Sequence, residues 1–373
     1  MDLGNQDGRT RIRPHRASLF GALLLCAVAC GPSVAQDDAG YEAFAEQSGR
    51  KYRAYLDDTD RKYDEFVREI ERRWGEFVPS TRPMWSTYST DLQSRGEARF
   101  DEGSVVVEVV LDGDTPATET ELSRQMTAQT RAMMSDDNPT GRNVLENLVD
   151  AGDQTPATVD DVKDLVESKV SSGKLRQRRV MTPSGESRTV FSLTLPMVPD
   201  HLARASEPFI ELVHQQARRF ELPADLVLAV IHTESWFNPL ARSPVPAFGL
   251  MQLVPRSGAL DAYQFLYGKA RVVDANYLYR PENNVELGCA YLHLLLTRYF
   301  GELNPLESRT LAAIAGYNCG PGNTRRALRS LDPQRRVPSQ ADPKHVERAL
   351  LSRTPEETRS YLRLVTERRR IWH

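Results

Sequence analysis

Long apolar runs are absent from most of this chain. The longest, Ala17–Ala29, has 13 residues, short of the roughly 20 that a helix needs to cross a bilayer. No later segment approaches that length, so a membrane-spanning helix after residue 29 is excluded. Histidine is scarce as well: the seven residues show no metal-ligand spacing, and neither a metal nor any other cofactor is expected. Internal repeats and low-complexity tracts are missing. What remains is ordinary, with 40% hydrophobic and 27% charged residues, enough for a sizeable core but silent about chemistry. At 373 residues two domains are the better expectation.

The apolar run follows Arg9, Arg11, Arg13 and Arg16, the pattern of an export signal. Two processing sites compete. Ala27-Val28-Ala29-Cys30 resembles a bacterial lipobox, although Ala27 departs from its usual leucine, whereas Ser33-Val34-Ala35 before Gln36 suits ordinary signal peptidase. The lipobox is preferred. It makes residues 1–29 a lipoprotein signal peptide, Cys30 the acylated first residue and 30–40 a tether. Gly31 in place of aspartate favours the outer membrane by resemblance to sorted lipoproteins. The expected location is the outer membrane facing the periplasm, with a soluble periplasmic protein cut after Ala35 as the alternative.

Residues 37–74 are charged and interleaved with aromatics, as in a helix with one apolar stripe. Ser104–Leu111 is β-branched and flanked by turn residues, and Thr189–Leu195 alternates apolar and polar residues, so both read as strands. Helical stretches are expected near 119–134 and 158–170. Charge divides unevenly. Residues 200–373 hold 23 Lys and Arg against 18 Asp and Glu, a net of +5, leaving −8 for the rest. A basic C-terminal half would attract an acidic polymer. Nucleic acid is not expected, because an export signal argues against it.

Pro223 suits a helix start and Asn238-Pro239 a stop. Between them Leu226, Val227, Val230 and Ile231 recur at helical spacing, and Glu234 shares their apolar face. Burial disfavours the ionised carboxylate, so Glu234 should hold a proton near neutrality, as a general acid must. From this helix alone a surface carboxylate at a frayed end is the preferred reading, since structural carboxylates also have perturbed pKa values.

Glu234-Ser235, Gly249-Leu250-Met251-Gln252, Asn284 with Gly288 and Tyr291-Leu292, Ala315-Gly316-Tyr317-Asn318, and Glu357-Thr358-Arg359 with Tyr361 follow in that order over about 130 residues. Together they resemble the lysozyme-like domain of the lytic transglycosylases. Trp74-Gly75, Arg99-Phe100-Asp101-Glu102-Gly103 and Pro196-Met197-Val198-Pro199-Asp200-His201-Leu202 resemble the N-terminal domain of the membrane-bound lytic transglycosylase C family. The expected fold is an α+β N-terminal domain over 41–200, followed by a mainly α-helical lysozyme-like catalytic domain over 201–373.

Glycosidases commonly use two carboxyl groups about 5 to 9.5 Å apart, yet these motifs supply one. The nearest downstream acids, Asp261 and Asp274, lie in what reads as an insertion. The resemblance implies an answer: one glutamate, Glu234, protonates the leaving oxygen and then acts as base on the muramic C6 hydroxyl. Peptidoglycan would be cleaved to 1,6-anhydromuramoyl ends without water. It also implies that Ser235 and Tyr317 orient the Glu234 carboxyl, that Gln252 and Asn318 offer amides to the sugar, that Met251 lines an apolar floor and that Tyr361 closes the far side. For Met251 and Tyr361 plain core packing is the alternative, and for Gln252 and Asn318 a turn or cap role. Cys289 and Cys319 could pair as a disulfide in an oxidising periplasm. A hydrolytic muramidase of goose-lysozyme kind and a glycan-binding scaffold without turnover are the rival functions. No protein partner is legible.

Overall fold

The β-branched run noted at Ser104 forms the centre of a five-stranded antiparallel sheet. The computed structural model describes residues 61–373, apart from 114–116, 244–245 and 335. The export signal, Cys30 and the tether lie outside the described residues. Residues Tyr63–His373 cluster as one unit.

The sheet comprises β1 (Met84–Tyr88), β2 (Ser94–Arg99), β3 (Ser104–Asp112), β6 (Arg176–Met181) and β7 (Ser187–Pro196), in the order β1-β2-β3-β7-β6. A small hairpin of β4 (Asp150–Gly152) and β5 (Thr155–Pro156) stands apart. Val105, Val107 and Val109 of β3 and Leu193 and Leu195 of β7 face helices α2 (Glu119–Met133) and α3 (Val162–Ser171), as period-two alternation requires. Helix α1, over residues 61–74, covers the opposite face, where Ile70 and Trp74 meet Val110 and Val190.

Strand β2 was not legible beforehand because its sequence, Ser-Arg-Gly-Glu-Ala-Arg, is polar. Arg95 and Glu97 are nonetheless buried, at 2% and 3% exposure. Arg95 is paired with Glu108, its cross-strand partner, and with Glu97, and its guanidinium lies 4.8 Å from the Trp74 ring centre. Buried charge is tolerated when it is paired. On the other face Gly96 lets Met133 pack directly on the strand, since a Cβ there would lie 2.1 Å from the Met133 sulfur.

Four residues after β7 the chain becomes helical. His201, at the start of α4 (His201–Arg219), places its ring nitrogens 2.9 and 3.1 Å from the carbonyls of Phe100 and Val198, so α4 is fastened to the sheet's β2–β3 turn. Helices α5 (Ala224–Ser235), α6 (Gly258–Tyr267), α7 (Ala275–Tyr279), α8 (Pro281–Leu294), α9 (Leu306–Leu328), α10 (Pro343–Arg353) and α11 (Glu356–Arg368) complete the second half. Every residue of α5 from Leu226 to Ser235 is buried, and α4 and α11 pack against it. Helix α9 is two segments joined at Gly320, whose φ of 80° and ψ of 154° break the helix before Pro321. Among the described residues no helix is long and apolar enough to cross a membrane.

Candidate active site

Helix α5 ends one turn earlier than its proline stop suggests. Trp236 and Phe237 adopt left-handed backbone, with φ of 53° and 60°, and Glu234 sits on the last full turn. Glu234 is 3% exposed and borders a cleft of about 610 Å³ lined by Gln252, Tyr317, Asn318, Arg82 and Glu357 among others. Burial raises its pKa to about 7, against the opposing pull of the Arg82 guanidinium. Glu234 Oε2 and the adjacent Tyr361 hydroxyl are buried polar atoms without a hydrogen-bond partner among the described residues. Arg82 Nε reaches Oε2 at 3.4 Å, an ion-pair distance not aligned as a hydrogen bond. Burial outweighs both the guanidinium and the neighbouring Tyr361 hydroxyl, so the acid keeps its proton to about pH 7 at the edge of the cleft.

The opposite wall is the tight loop 248–253, closed by reciprocal hydrogen bonds between Phe248 and Leu253. Asn284, wholly buried on α8, organises it. Its Oδ1 accepts from Met251 N at 2.8 Å, and its Nδ2 donates to the carbonyls of Phe248 and Leu278, both at 2.8 Å. Gly249 is required at its position, because φ is +76° and a Cβ would lie 2.4 Å from Asn284 Nδ2. Gly288 lets the Met251 side chain lie against α8 in the same way.

Several expected roles are corrected by this geometry. Ser235 does not touch the Glu234 carboxyl: its hydroxyl donates to the carbonyls of Leu250 at 2.8 Å and Ile231 at 3.1 Å, tying α5 to the loop. Tyr317 donates to Met251 O at 2.8 Å and likewise holds the loop. Met251 is wholly buried, so its side chain is core and not the floor of a sugar pocket. Tyr361, 2% exposed, stands behind Glu234 and does not line the cleft. Cys289 and Cys319 are free thiols. Cys289 is buried in the α8 core, which pushes its pKa up, while the Cys319 sulfur lies 3.5 Å from Thr324 Oγ1.

Gln252 and Asn318 do line the cleft. The Gln252 amide donates to Ala241 O and Gly249 O, leaving its buried Oε1 unpartnered and able to accept. Asn318 Oδ1 accepts from Thr358 Oγ1 at 2.7 Å, so what it offers a ligand is its amide nitrogen. An acceptor, a donor and an acid around one cleft suit a sugar carrying hydroxyl and N-acetyl groups. Among the described residues no group of His, Cys, Asp or Glu gathers as a metal site.

Residues 211–336 match the Transglycosylase SLT domain family. Membrane-bound lytic murein transglycosylase C of Cronobacter sakazakii is 30% identical over 296 residues, which span 76% of this chain and 80% of that protein. The chain belongs to that family. The protein of the same name from Klebsiella pneumoniae is 29% identical, over 74% of this chain and 78% of its own. The 70 kDa soluble lytic transglycosylase SLT70 of Escherichia coli is 26% identical and covers 46% of this chain and 25% of its own length, with a TM-score of 0.35.

In this transglycosylase C family member two charged cleft residues have places that the motifs do not reveal. Arg82 comes from the loop before β1, more than 150 residues from Glu234, and nothing local marks it. Glu357 stands in a motif that was read, but its place in the cleft, 2.9 Å from Arg82 Nη2, depends on how α11 packs. Asp261 and Asp274 are occupied elsewhere: Asp261 accepts from Tyr299 at 2.9 Å, and Asp274 caps α7 through Tyr277 N.

Proposed function

We propose that this chain cleaves the β-1,4 bond between N-acetylmuramic acid and N-acetylglucosamine in peptidoglycan without water, with Glu234 as the single acid and base. Protonated Glu234 gives its proton to the leaving glucosamine O4 as the C1–O4 bond breaks. The positive charge at C1 is shared with the substrate's own N-acetyl group. The Glu234 carboxylate then takes the proton of the muramic C6 hydroxyl, and O6 closes on C1 to give the 1,6-anhydro ring. Atoms and protons balance, and Glu234 ends as it began. Internal attack gains from proximity.

The observation that carries this reading is the burial of Glu234, which holds a proton to about pH 7 at the edge of a cleft furnished with Gln252 and Asn318. Ser235, Tyr317 and Met251 act through the loop, and Tyr361 backs the carboxyl. Mass spectrometry of the soluble products from purified sacculi tests it. Anhydro-ended muropeptides, absent with Glu234→Gln, are expected.

Hydrolysis is favoured by one observation, the Glu357 carboxylate in the same cleft. It is two-thirds exposed, and its carboxylate is already engaged by Arg82. Reducing-ended products lost on Glu357→Gln would establish the hydrolase instead. Anchoring at the outer membrane through acylated Cys30 completes the proposal, and metabolic labelling with a radioactive fatty acid that leaves Cys30→Ala unlabelled is its test.

A further inference from the structure

The loop carrying Arg82 is pinned while the side chain it presents is not. Val78 N donates to Tyr88 Oη at 3.0 Å, Ser86 N to Ser80 Oγ at 3.0 Å, Thr81 N to Met84 O at 2.8 Å and Phe100 N to Pro83 O at 2.9 Å. The backbone on both sides of Arg82 is therefore fixed to the sheet half. Thr81, Arg82 and Pro83 nevertheless line the cleft of the helical half, and Arg82 is the one cationic side chain among the described lining residues.

Its two partners hold it weakly. Glu234 lies at 3.4 Å without an aligned hydrogen bond, and must be uncharged at the start of the proposed reaction. Glu357 lies at 2.9 Å but is 66% exposed, and an exposed ion pair contributes little. When a glycan fills the cleft, positive charge builds at a sugar carbon beside Glu234. A second positive charge left without a counterion there would oppose it. The guanidinium needs an anion of its own, and its planar fork suits a carboxylate held by two parallel hydrogen bonds.

On the reading that peptidoglycan is the substrate, that anion travels with it. Each muramic residue bears a lactyl group at C3, ending either in a free carboxylate or in a peptide with carboxylates of its own. We infer that Arg82 is a specificity-determining residue which exchanges Glu357 for a carboxylate on the muramic substituent of the glycan in the cleft. The sheet half thereby selects for muramic substituents while the helical half supplies the chemistry.

The test is kcat and KM for the mature chain, Arg82→Gln and Arg82→Lys on three glycan preparations: peptide-bearing strands, the same strands with carboxylates methyl-esterified, and denuded strands retaining only lactyl carboxylates. Arg82→Gln should raise KM about tenfold or more where the recognised carboxylate is free. On the ester its KM, read separately from kcat, should match that of the unsubstituted chain within about twofold. Arg82→Lys, which keeps charge but loses the fork, should fall between. A loss confined to peptide-bearing strands assigns the anion to the peptide, and a loss on denuded strands assigns it to the lactyl group. An equal rise in KM on the ester, no rise on any strand, or a fall on all three would overturn the inference. Failure of the peptidoglycan reading looks different: the unsubstituted chain would release no anhydro product from any preparation.

Discussion

The Tyr317 hydroxyl donates to the carbonyl oxygen of Met251 at 2.8 Å, joining helix α9 to the loop that carries Gln252. Tyr317→Phe keeps the ring and deletes this bond, leaving a carbonyl without its donor. Stability should fall by about 1 to 2 kcal/mol. Turnover should fall as well, because Gln252 is then less firmly placed. Chemical denaturation together with steady-state kinetics measures both, and an unchanged kcat would show that the clamp does not matter to chemistry.

Glu234 links pH to stability with a definite sign. Its pKa is about 7 in the folded chain against 4.5 when free, so between those values the folded state binds more protons than the unfolded. Stability must fall as pH rises through that window, by about 3 kcal/mol at one unit per 1.36 kcal/mol. Glu234→Gln cannot ionise. Its Tm relative to the unsubstituted chain should therefore be higher at pH 8 than at pH 4, while activity drops by about a hundredfold or more. A stability difference independent of pH would contradict the buried acid.

The same proton governs the rate. Activity requires protonated Glu234, so kcat should decline as pH rises through about 7. Arg82 pulls this pKa down, and Arg82→Gln should move the alkaline limb to higher pH. A limb that stays in place would mean that the guanidinium does not sense the carboxyl.

Asn284 makes three buried hydrogen bonds that hold loop 248–253. Asn284→Ala orphans one N–H and two carbonyls, at a cost of about 3 kcal/mol or more. Gly249→Ala should do comparable damage, since it combines a left-handed backbone with a Cβ 2.4 Å from Asn284 and from Leu278 O. Urea unfolding measures both, and a loss under about 1 kcal/mol in either would refute the hub.

Cys289 and Cys319 are unpaired, so the chain from Gln36 onward should titrate two thiols after denaturation without reductant. In the folded protein only Cys319 should react, because Cys289 is wholly buried. Finding no thiols would restore the disulfide.

Much of the fold was legible because burial and pattern agree there. β3 and β7 alternate or run apolar as strands of a covered sheet should, and α5 shows the helical spacing that aims Glu234 inward. β2 was illegible because Arg95 and Glu97 reach the interior as paired charges, which no apolar periodicity records. Within the site, residue types predicted the neighbourhood better than the partners. Ser235 and Tyr317 lie beside Glu234 in sequence or in space, yet both bond to loop carbonyls, because a buried backbone carbonyl demands a donor as strongly as a carboxyl does. Arg82 carries no local signal at all.

The origin of Arg82 bears on how the molecule can be taken apart. A chain trimmed to begin at α4 would keep Glu234, Gln252 and Asn318 but lose the wall built from Thr81, Arg82 and Pro83. Its opening would be wider and more acidic, with Glu357 deprived of its counter-charge. Modularity is therefore illusory in this architecture. The portion that resembles an accessory module is co-author of the cleft, and transplanting the helical portion onto another scaffold would yield a catalyst with altered taste, not the same catalyst on a new handle.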